Sequence, residues 1–208
     1  MAFGKFALLT LLLAGNAAAW TTHSPRLPWW LADSPEMRDR VALRQSAVFT
    51  QSGLRVCRRL VNVSARPVLI NRLVVAGSSR GQLYSWLFNA TGRIFESPHL
   101  TVHPPYILPI VPAGPDDMTP FEIIAPNGAV EHCEDLTLPR GSLFQIVSHY
   151  SSDLLEDEVP ASARPGTTLF GHGQSILSGV CVVHVRSRSV VCTDDHRWTV
   201  EPRPPGMQ

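Results

Sequence analysis

The residues of this chain with the clearest chemistry are its four cysteines, Cys57, Cys133, Cys181 and Cys192. The last two lie in the stretch 178–192, SGVCVVHVRSRSVVC, whose valines on both arms favour β-strands. If Arg186 and Ser187 form a two-residue turn, Cys181 faces Cys192 at a distance that a disulfide can span. Free or differently paired thiols are the alternative, because Arg-Ser is not a preferred turn and a longer loop would shift the register.

The cysteines are best understood together with the N-terminus, which is typical of exported proteins. Lys5 precedes a short apolar run over 6–14, and small residues follow at 17–19. This pattern predicts a signal peptide over 1–19, cleaved before Trp20 and too short to span a membrane. Four cysteines in an exported chain indicate two disulfides, so Cys57 pairs with Cys133 by elimination if the hairpin pairing holds.

Patterns that would support catalysis or metal binding are weak. The run 173–177, GQSIL, lacks the last glycine of a G-x-S-x-G nucleophile motif. The runs 132–134 and 194–196 contain metal-ligand types, but adjacent residues of a strand point to opposite faces. The acids of 156–158 lie in a predicted loop without an apolar wall to raise a pKa. We therefore predict no catalytic residues, no metal ion and no cofactor; a secreted hydrolase is the weakest alternative.

Charge and hydropathy narrow the possible partners. Lys5 is the only lysine, and the 17 basic residues that remain balance the 17 acidic ones. A neutral chain without a basic stripe is a poor nucleic-acid binder.

No apolar run after the signal reaches the roughly 18 residues of a membrane span. We expect a protein in the endoplasmic reticulum lumen or outside the cell.

Two sequons fit the same compartment. They are Asn62-Val63-Ser64 and Asn89-Ala90-Thr91. Glycosylation at Asn62 or Asn89 requires that asparagine to lie on the surface. Asn89 is the better candidate, because it precedes a turn-like Ala-Thr-Gly.

The pattern of apolar residues predicts a mainly β fold of two small disulfide-supported lobes with one short N-terminal helix. Ser34 as N-cap, Pro35 at the first helical position and Glu36 in the first turn favour a short helix or single turn within 33–45. Alternating or β-branched runs predict strands in 54–63, 68–75, 82–88, 121–125, 130–138 and 142–147.

Prolines divide the chain in this interpretation. Five of them between 99 and 117 favour an extended connector, which we place at 98–118. The N-terminal lobe is then 20–97, with a Trp-rich arm, the short helix and a β-hairpin. The C-terminal β domain is 119–208 and ends with the closing hairpin.

Aromatic residues are the candidates for an interface with other proteins. They are Trp20, Trp29, Trp30, Tyr84 and Trp86. Aromatic side chains dominate the binding energy of many protein interfaces. For the tryptophans of 20–31, burial at the edge of the protein's own core is an equally good interpretation.

Several of these residues also occur in an order that matches a known family. They are Trp20, Pro28-Trp29, Cys57, the Leu-Tyr-x-x-x-x-Asn-x-x-Gly segment from Leu83 to Gly92 with Glu96 after it, the Gly-x-x-x-x-Cys segment from Gly128 to Cys133, and Val191-Cys192-Thr193. In this order the chain resembles a β-herpesvirus envelope glycoprotein family, the middle-sized of the three small secreted subunits on gH/gL in the cytomegalovirus pentameric entry complex. Cys181 has no clear counterpart in that family, the closing hairpin is shorter, and the Pro-rich 98–115 replaces a chemokine-like helix.

The resemblance implies a function in binding. It implies a viral glycoprotein on the virion envelope surface, held there by gH/gL and two other small viral glycoproteins, that binds a host cell-surface receptor and sets cell tropism. The alternative is a stand-alone secreted β-sandwich decoy that binds a host cytokine, chemokine or immune receptor.

Overall fold

A computed structural model of the protein describes residues 22–29, 31, 33–71, 82–94, 121–136, 138, 141, 143–152, 165–170 and 173–205. The fold is mainly β with one helical turn, which confirms the predicted class. The predicted signal peptide and connector lie outside the described residues. In chain order the elements are β1 (Arg26–Leu27), α1 (Pro35–Arg38), β2 (Val41–Phe49), β3 (Leu54–Asn62), β4 (Val68–Asn71), β5 (Gln82–Asn89), β6 (Phe121–Ile124), β7 (Ala129–Leu136), β8 (Leu143–Ser151), β9 (Ser175–His184), β10 (Ser189–Cys192) and β11 (Thr199–Val200).

The larger strands form two antiparallel sheets. The three-stranded sheet has the order β2-β3-β7, and the four-stranded sheet has the order β10-β9-β8-β5. Two small pairs, antiparallel β4-β6 and parallel β1-β11, complete the described strands.

Strands on opposite sides of the predicted connector pair with each other. Strands β3, β4 and β5 precede 98–118, and they pair with β7, β6 and β8, which follow it. The predicted division into an N-terminal lobe 20–97 and a C-terminal domain 119–208 is therefore wrong. Each of the two larger sheets instead contains strands from both halves, and each of these two contains one disulfide.

Apolar side chains fill the space between the sheets. Leu54 and Val56 of β3 pack in one cluster with Leu87, Phe144 and Ile146 of the four-stranded sheet. A second cluster joins α1, β2 and β3 to the same sheet through Met37, Leu43, Leu60, Leu83, Tyr150 and Ile176. The two sheets are the layers of a β-sandwich.

The four-stranded sheet is also buried on its other face. There Trp86, Phe88, Val147, Leu177 and Val180 pack against Leu27 and Leu31 of the N-terminal segment and against Trp198. Pairing of β1 with β11 joins the N-terminal and C-terminal segments above this face. The segments at both ends of the described chain thus form a third layer.

The closing hairpin has the predicted register. Val183 faces Val190, and Cys181 faces Cys192, across a turn at 185–188. Both cysteine pairs are disulfides between directly opposed strand residues, with Cα atoms 3.9 Å apart in Cys181–Cys192 and 4.0 Å apart in Cys57–Cys133. The pairing derived from the hairpin is confirmed.

The helix is shorter than the stretch 33–45 in which it was predicted. It begins at Pro35 after Ser34, as expected, but it ends at Arg38. Strand β2 begins three residues later because Val41, Leu43 and Gln45 alternate toward the sandwich interior. Burial with period two outweighs the weak helical pattern.

Position 179 of β9 requires glycine because the backbone of the segment after β10 passes very close to it. A Cβ atom at this position would lie 1.9 Å from the carbonyl oxygen of Thr193, where the chain after β10 runs close beside the strand. We expect Gly179→Ala to lower the unfolding free energy by about 3 kcal/mol because backbone must move. Gly166→Ala is the control: its Cβ meets no atom within 4 Å, and the positive φ costs about 1 kcal/mol. Urea unfolding measures both, and equal losses would contradict the close approach.

Candidate functional site

The most unusual group in the interior is the guanidinium of Arg58. This side chain points from β3 into the sandwich and is fully buried. Its Nε donates to the hydroxyls of Ser85 (3.0 Å) and Ser148 (3.2 Å) on the opposite sheet. Its Nη2 donates to Ser85 and to the carboxylate of Glu134 on β7. The ion pair and the serines compensate most of the cost of burying this charge.

Gln45 extends these contacts into a polar network across the sandwich. The Ser148 hydroxyl donates to Gln45 Oε1 at 2.7 Å. Gln45 Nε2 donates to the carbonyl oxygens of Ile146 (2.8 Å) and Gly179 (2.7 Å). One side chain of the three-stranded sheet is therefore bonded to the backbone of both β8 and β9.

The network was not predicted from the sequence, although a signal for it was present. Leu54, Val56 and Leu60 alternate toward the core, and Arg58 occupies the same face of the strand. An arginine on an apolar face requires a counter-ion, and Glu134 supplies it. The network stabilises the alignment of the two sheets. The hydroxyls of Ser85 and Ser148 are the hydrogen-bonding partners that the four-stranded sheet supplies.

His149 is a second buried polar residue. It lies on β8, and neither of its ring nitrogens has a hydrogen-bond partner. Burial lowers the pKa of His149 from 6.5 to about 4, and the nearby charge of Asp33 opposes this change only in part. The ring is neutral at pH 7.

The two runs with metal-ligand residue types are occupied by other contacts. In 132–134, Cys133 is in a disulfide and Glu134 binds Arg58. In 194–196, Asp195 pairs with Arg197 at 3.0 Å and His196 Nδ1 lies 3.4 Å from Asp33. In the described part of the chain, no group of three or more His, Cys, Asp or Glu side chains could hold a metal ion.

The aromatic interface candidates have different positions. Trp86 is buried against Leu27 and Leu31, so its prediction as an interface residue is wrong for the folded chain. Trp29 is half-buried, and the guanidinium of Arg203 lies 4.8 Å from its ring centroid. Trp20, Trp30 and the side chain of Tyr84 lie outside the described residues.

The first sequon is buried in the fold. Asn62 is fully buried, and its Nδ2 donates to the carbonyl oxygens of Arg66 (2.8 Å) and Ile124 (2.9 Å). A glycan on Nδ2 would replace one of these N–H groups and needs space outside the protein. The fold therefore does not give Asn62 the surface position that glycosylation requires.

The second sequon lies in a turn. Asn89 ends β5, and its Oδ1 accepts hydrogen bonds from Thr91 N (3.0 Å), Thr91 Oγ1 (2.7 Å) and Arg93 N (3.1 Å). These contacts do not use Nδ2, the atom that carries an N-linked glycan. Glycosylation of Asn89 stays a prediction.

The outer face of the three-stranded sheet carries paired charges. Arg55 donates to both carboxylate oxygens of Asp135, each at 2.9 Å. This hydrogen-bonded pair lowers the pKa of Asp135 and raises the pKa of Arg55. Arg59 lies opposite Glu131 in the strand register, and the Cys57–Cys133 disulfide lies between these two pairs of opposed residues.

Comparison with known proteins adds no relative: no protein-family model, curated protein or solved structure matches the chain. A helix long and apolar enough to cross a membrane is absent from the described residues.

The Arg58–Glu134 pair makes a testable contribution to stability. Glu134→Ala leaves a buried guanidinium without its counter-ion, so we expect the free energy of unfolding to fall by about 2 kcal/mol. This loss is smaller than for a fully buried pair because the Glu134 side chain is 40% exposed. Glu131→Ala is the matched control on the exposed face of the same strand, with an expected change below about 0.5 kcal/mol. Denaturant unfolding of both variants measures the difference, and a loss of equal size would refute the role of Glu134.

His149 makes stability depend on pH. Because its pKa is about 4 when folded and 6.5 when unfolded, the unfolded state binds the proton more tightly. The contribution of the neutral ring is complete above pH 6.5 and is lost as pH falls toward 4, by about 3 kcal/mol. A glutamine side chain does not titrate, so His149→Gln should remove this dependence of the unfolding free energy on pH. His23→Gln changes an exposed histidine and should keep it. Urea unfolding at several pH values is the measurement, and an unchanged slope in His149→Gln would contradict the assignment.

Proposed function

We propose that the protein is a secreted, non-catalytic β-sandwich that acts by binding other proteins and folds without them. One observation carries the proposal: both apolar faces of the four-stranded sheet are covered by the chain itself. Leu27 and Leu31 cover Trp86, and Arg203 lies over Trp29. A subunit that needs a partner to complete its core would leave such surfaces open.

The disulfides support a location in the secretory pathway or outside the cell. All four cysteines are oxidised in two pairs, and such pairs persist in the secretory pathway and outside the cell. The pattern of residues 1–19 and the sequon at Asn89 agree with the same route. In this form the protein is a stand-alone decoy for a host cytokine, chemokine or immune receptor.

A second candidate function follows from the ordered residues that resemble the β-herpesvirus family. In that case the protein is a non-catalytic subunit of a gH/gL-based envelope entry complex, together with two other small viral glycoproteins. It would bind a host receptor and set cell tropism. Support comes from the order of Trp20, Cys57, Leu83–Gly92, Cys133 and Cys192 along the chain.

Expression of the chain alone in a secretory cell line separates the two candidates. For the stand-alone form we expect a monomer in the medium, because its apolar faces are already covered. Its mass is measured by light scattering after gel filtration, with peptide mapping for the disulfides and for a glycan on Asn89. Retention in the cell, or recovery only as aggregate, contradicts this form.

Co-expression with gH/gL and the two small glycoproteins is the second arm. Capture on tagged gH followed by mass spectrometry shows whether the chain joins the assembly. Retention when expressed alone, together with capture on gH, supports the entry-complex subunit. A secreted monomer that gH does not capture supports the decoy.

A further inference from the structure

The Cys57–Cys133 disulfide lies at the surface, unlike the second disulfide. Cys133 is exposed and Cys57 is half-buried, on the outer face of the three-stranded sheet. In the second disulfide Cys181 is fully buried and Cys192 is half-buried, and both pack in the cluster between the sheets. Of the four cysteines, Cys133 is therefore the one most open to a dissolved molecule.

The charges around the two sulfurs of this exposed disulfide differ. Residues two apart on a strand share a face, so Cys57 has Arg55 and Arg59 beside it. By the same rule, Cys133 lies between Glu131 and Asp135 on β7. Arg55 and Asp135 are bonded to each other, so Arg59 beside Cys57 and Glu131 beside Cys133 account for the difference in charge. A thiolate is favoured next to guanidinium groups and disfavoured between carboxylates.

We propose that the Cys57–Cys133 disulfide is a site of exchange with small thiols, which attack Cys133 and release the thiolate of Cys57. Exposure selects Cys133 as the sulfur that is attacked. The guanidinium of Arg59 stabilises the leaving thiolate, and a leaving thiol with a lower pKa departs faster. The carboxylate of Glu131 selects for thiols that carry a positive charge, such as aminothiols.

The exchange balances in two steps. The thiolate of the aminothiol forms a bond to Sγ of Cys133, and the Cys57–Cys133 bond breaks with its electron pair on Sγ of Cys57. A second aminothiol then attacks the sulfur of the first and releases Cys133 as a thiolate. Two aminothiols are oxidised to their disulfide, the protein disulfide gains two electrons, and the two protons that the aminothiols lost end on the protein thiols.

Strand β7 stays in place when the disulfide opens. The strand keeps its pairing with β3 from Leu54 opposite Leu136 to Val61 opposite Ala129. Arg55 holds Asp135, and Arg58 holds Glu134 from the interior. The opened form is therefore folded, and reoxidation can restore the bond.

The test uses the oxidised full chain and cysteamine as the aminothiol. After short exposure and quenching with iodoacetamide at neutral pH, peptide mass spectrometry locates cysteamine adducts and alkylated thiols. We expect cysteamine on Cys133, the alkyl group on Cys57, and an intact Cys181–Cys192 disulfide, with an unchanged far-ultraviolet circular dichroism spectrum. Adducts mainly on Cys57, opening of the buried disulfide at the same rate, or loss of the spectrum would overturn the proposal.

Charge selectivity gives an independent check. With each rate divided by the rate of the same thiolate on a small neutral disulfide, which removes differences in thiol nucleophilicity, cysteamine should react roughly threefold faster than the anionic 3-mercaptopropionate, as expected for exposed charges. Glu131→Gln should reduce this ratio, and Glu122→Gln, on β6 and outside the face, should leave it unchanged. A ratio near one in the wild-type chain, or the same ratio in Glu131→Gln, contradicts the role of the Glu131 carboxylate.

Discussion

The fold depends on the burial of one sheet on both of its faces. Strands β8 and β9 are buried over almost their whole length, so the four-stranded sheet requires a cover on each side. The three-stranded sheet supplies one cover. The terminal segments supply the other, where His23 and Arg26 donate backbone hydrogen bonds to the turn after β5 and Gln145 donates to His23. Both ends of the described chain are thereby needed to complete the core.

Polar groups then determine how the two sheets align. Apolar side chains alone favour contact between layers but fix their relative position weakly, whereas a buried hydrogen bond is lost when the layers shift. Gln45 is bonded to two carbonyl oxygens of the opposite sheet, and Arg58 is bonded to two of its serines. The ion pair with Glu134 extends this link to β7, the strand that carries Cys133. The interior and the exposed disulfide are therefore connected through one strand.

Local features were predictable from the sequence. The valines of 178–192 and the position of the two cysteines determine the hairpin register, and Ser34-Pro35 determines where the helix begins. Long-range pairing was not predictable, because hydrophobic alternation in β3 does not indicate that its neighbours are β2 and β7. A proline-rich stretch was therefore interpreted as a boundary, although strands on its two sides pair with each other.

The candidate site shows the same limit. Asn62 matches a sequon, but its burial follows from contacts with residues 66 and 124, the second of which lies far along the chain. Trp86 matches the composition of interfaces, yet its cover is the N-terminal segment. Arg58 was recognisable from its place in the alternation of β3, whereas its partners on β5, β7 and β8 were not.

The central claim is that the chain completes its own core without a partner. Native-state hydrogen exchange of the chain purified alone at pH 7 tests it most directly. The account predicts that amides of β8 and β9 exchange only through global unfolding, with protection that matches the free energy from denaturant unfolding. Exchange of these amides as fast as those of the turn at 185–188, with protection restored only by an added protein, would contradict it.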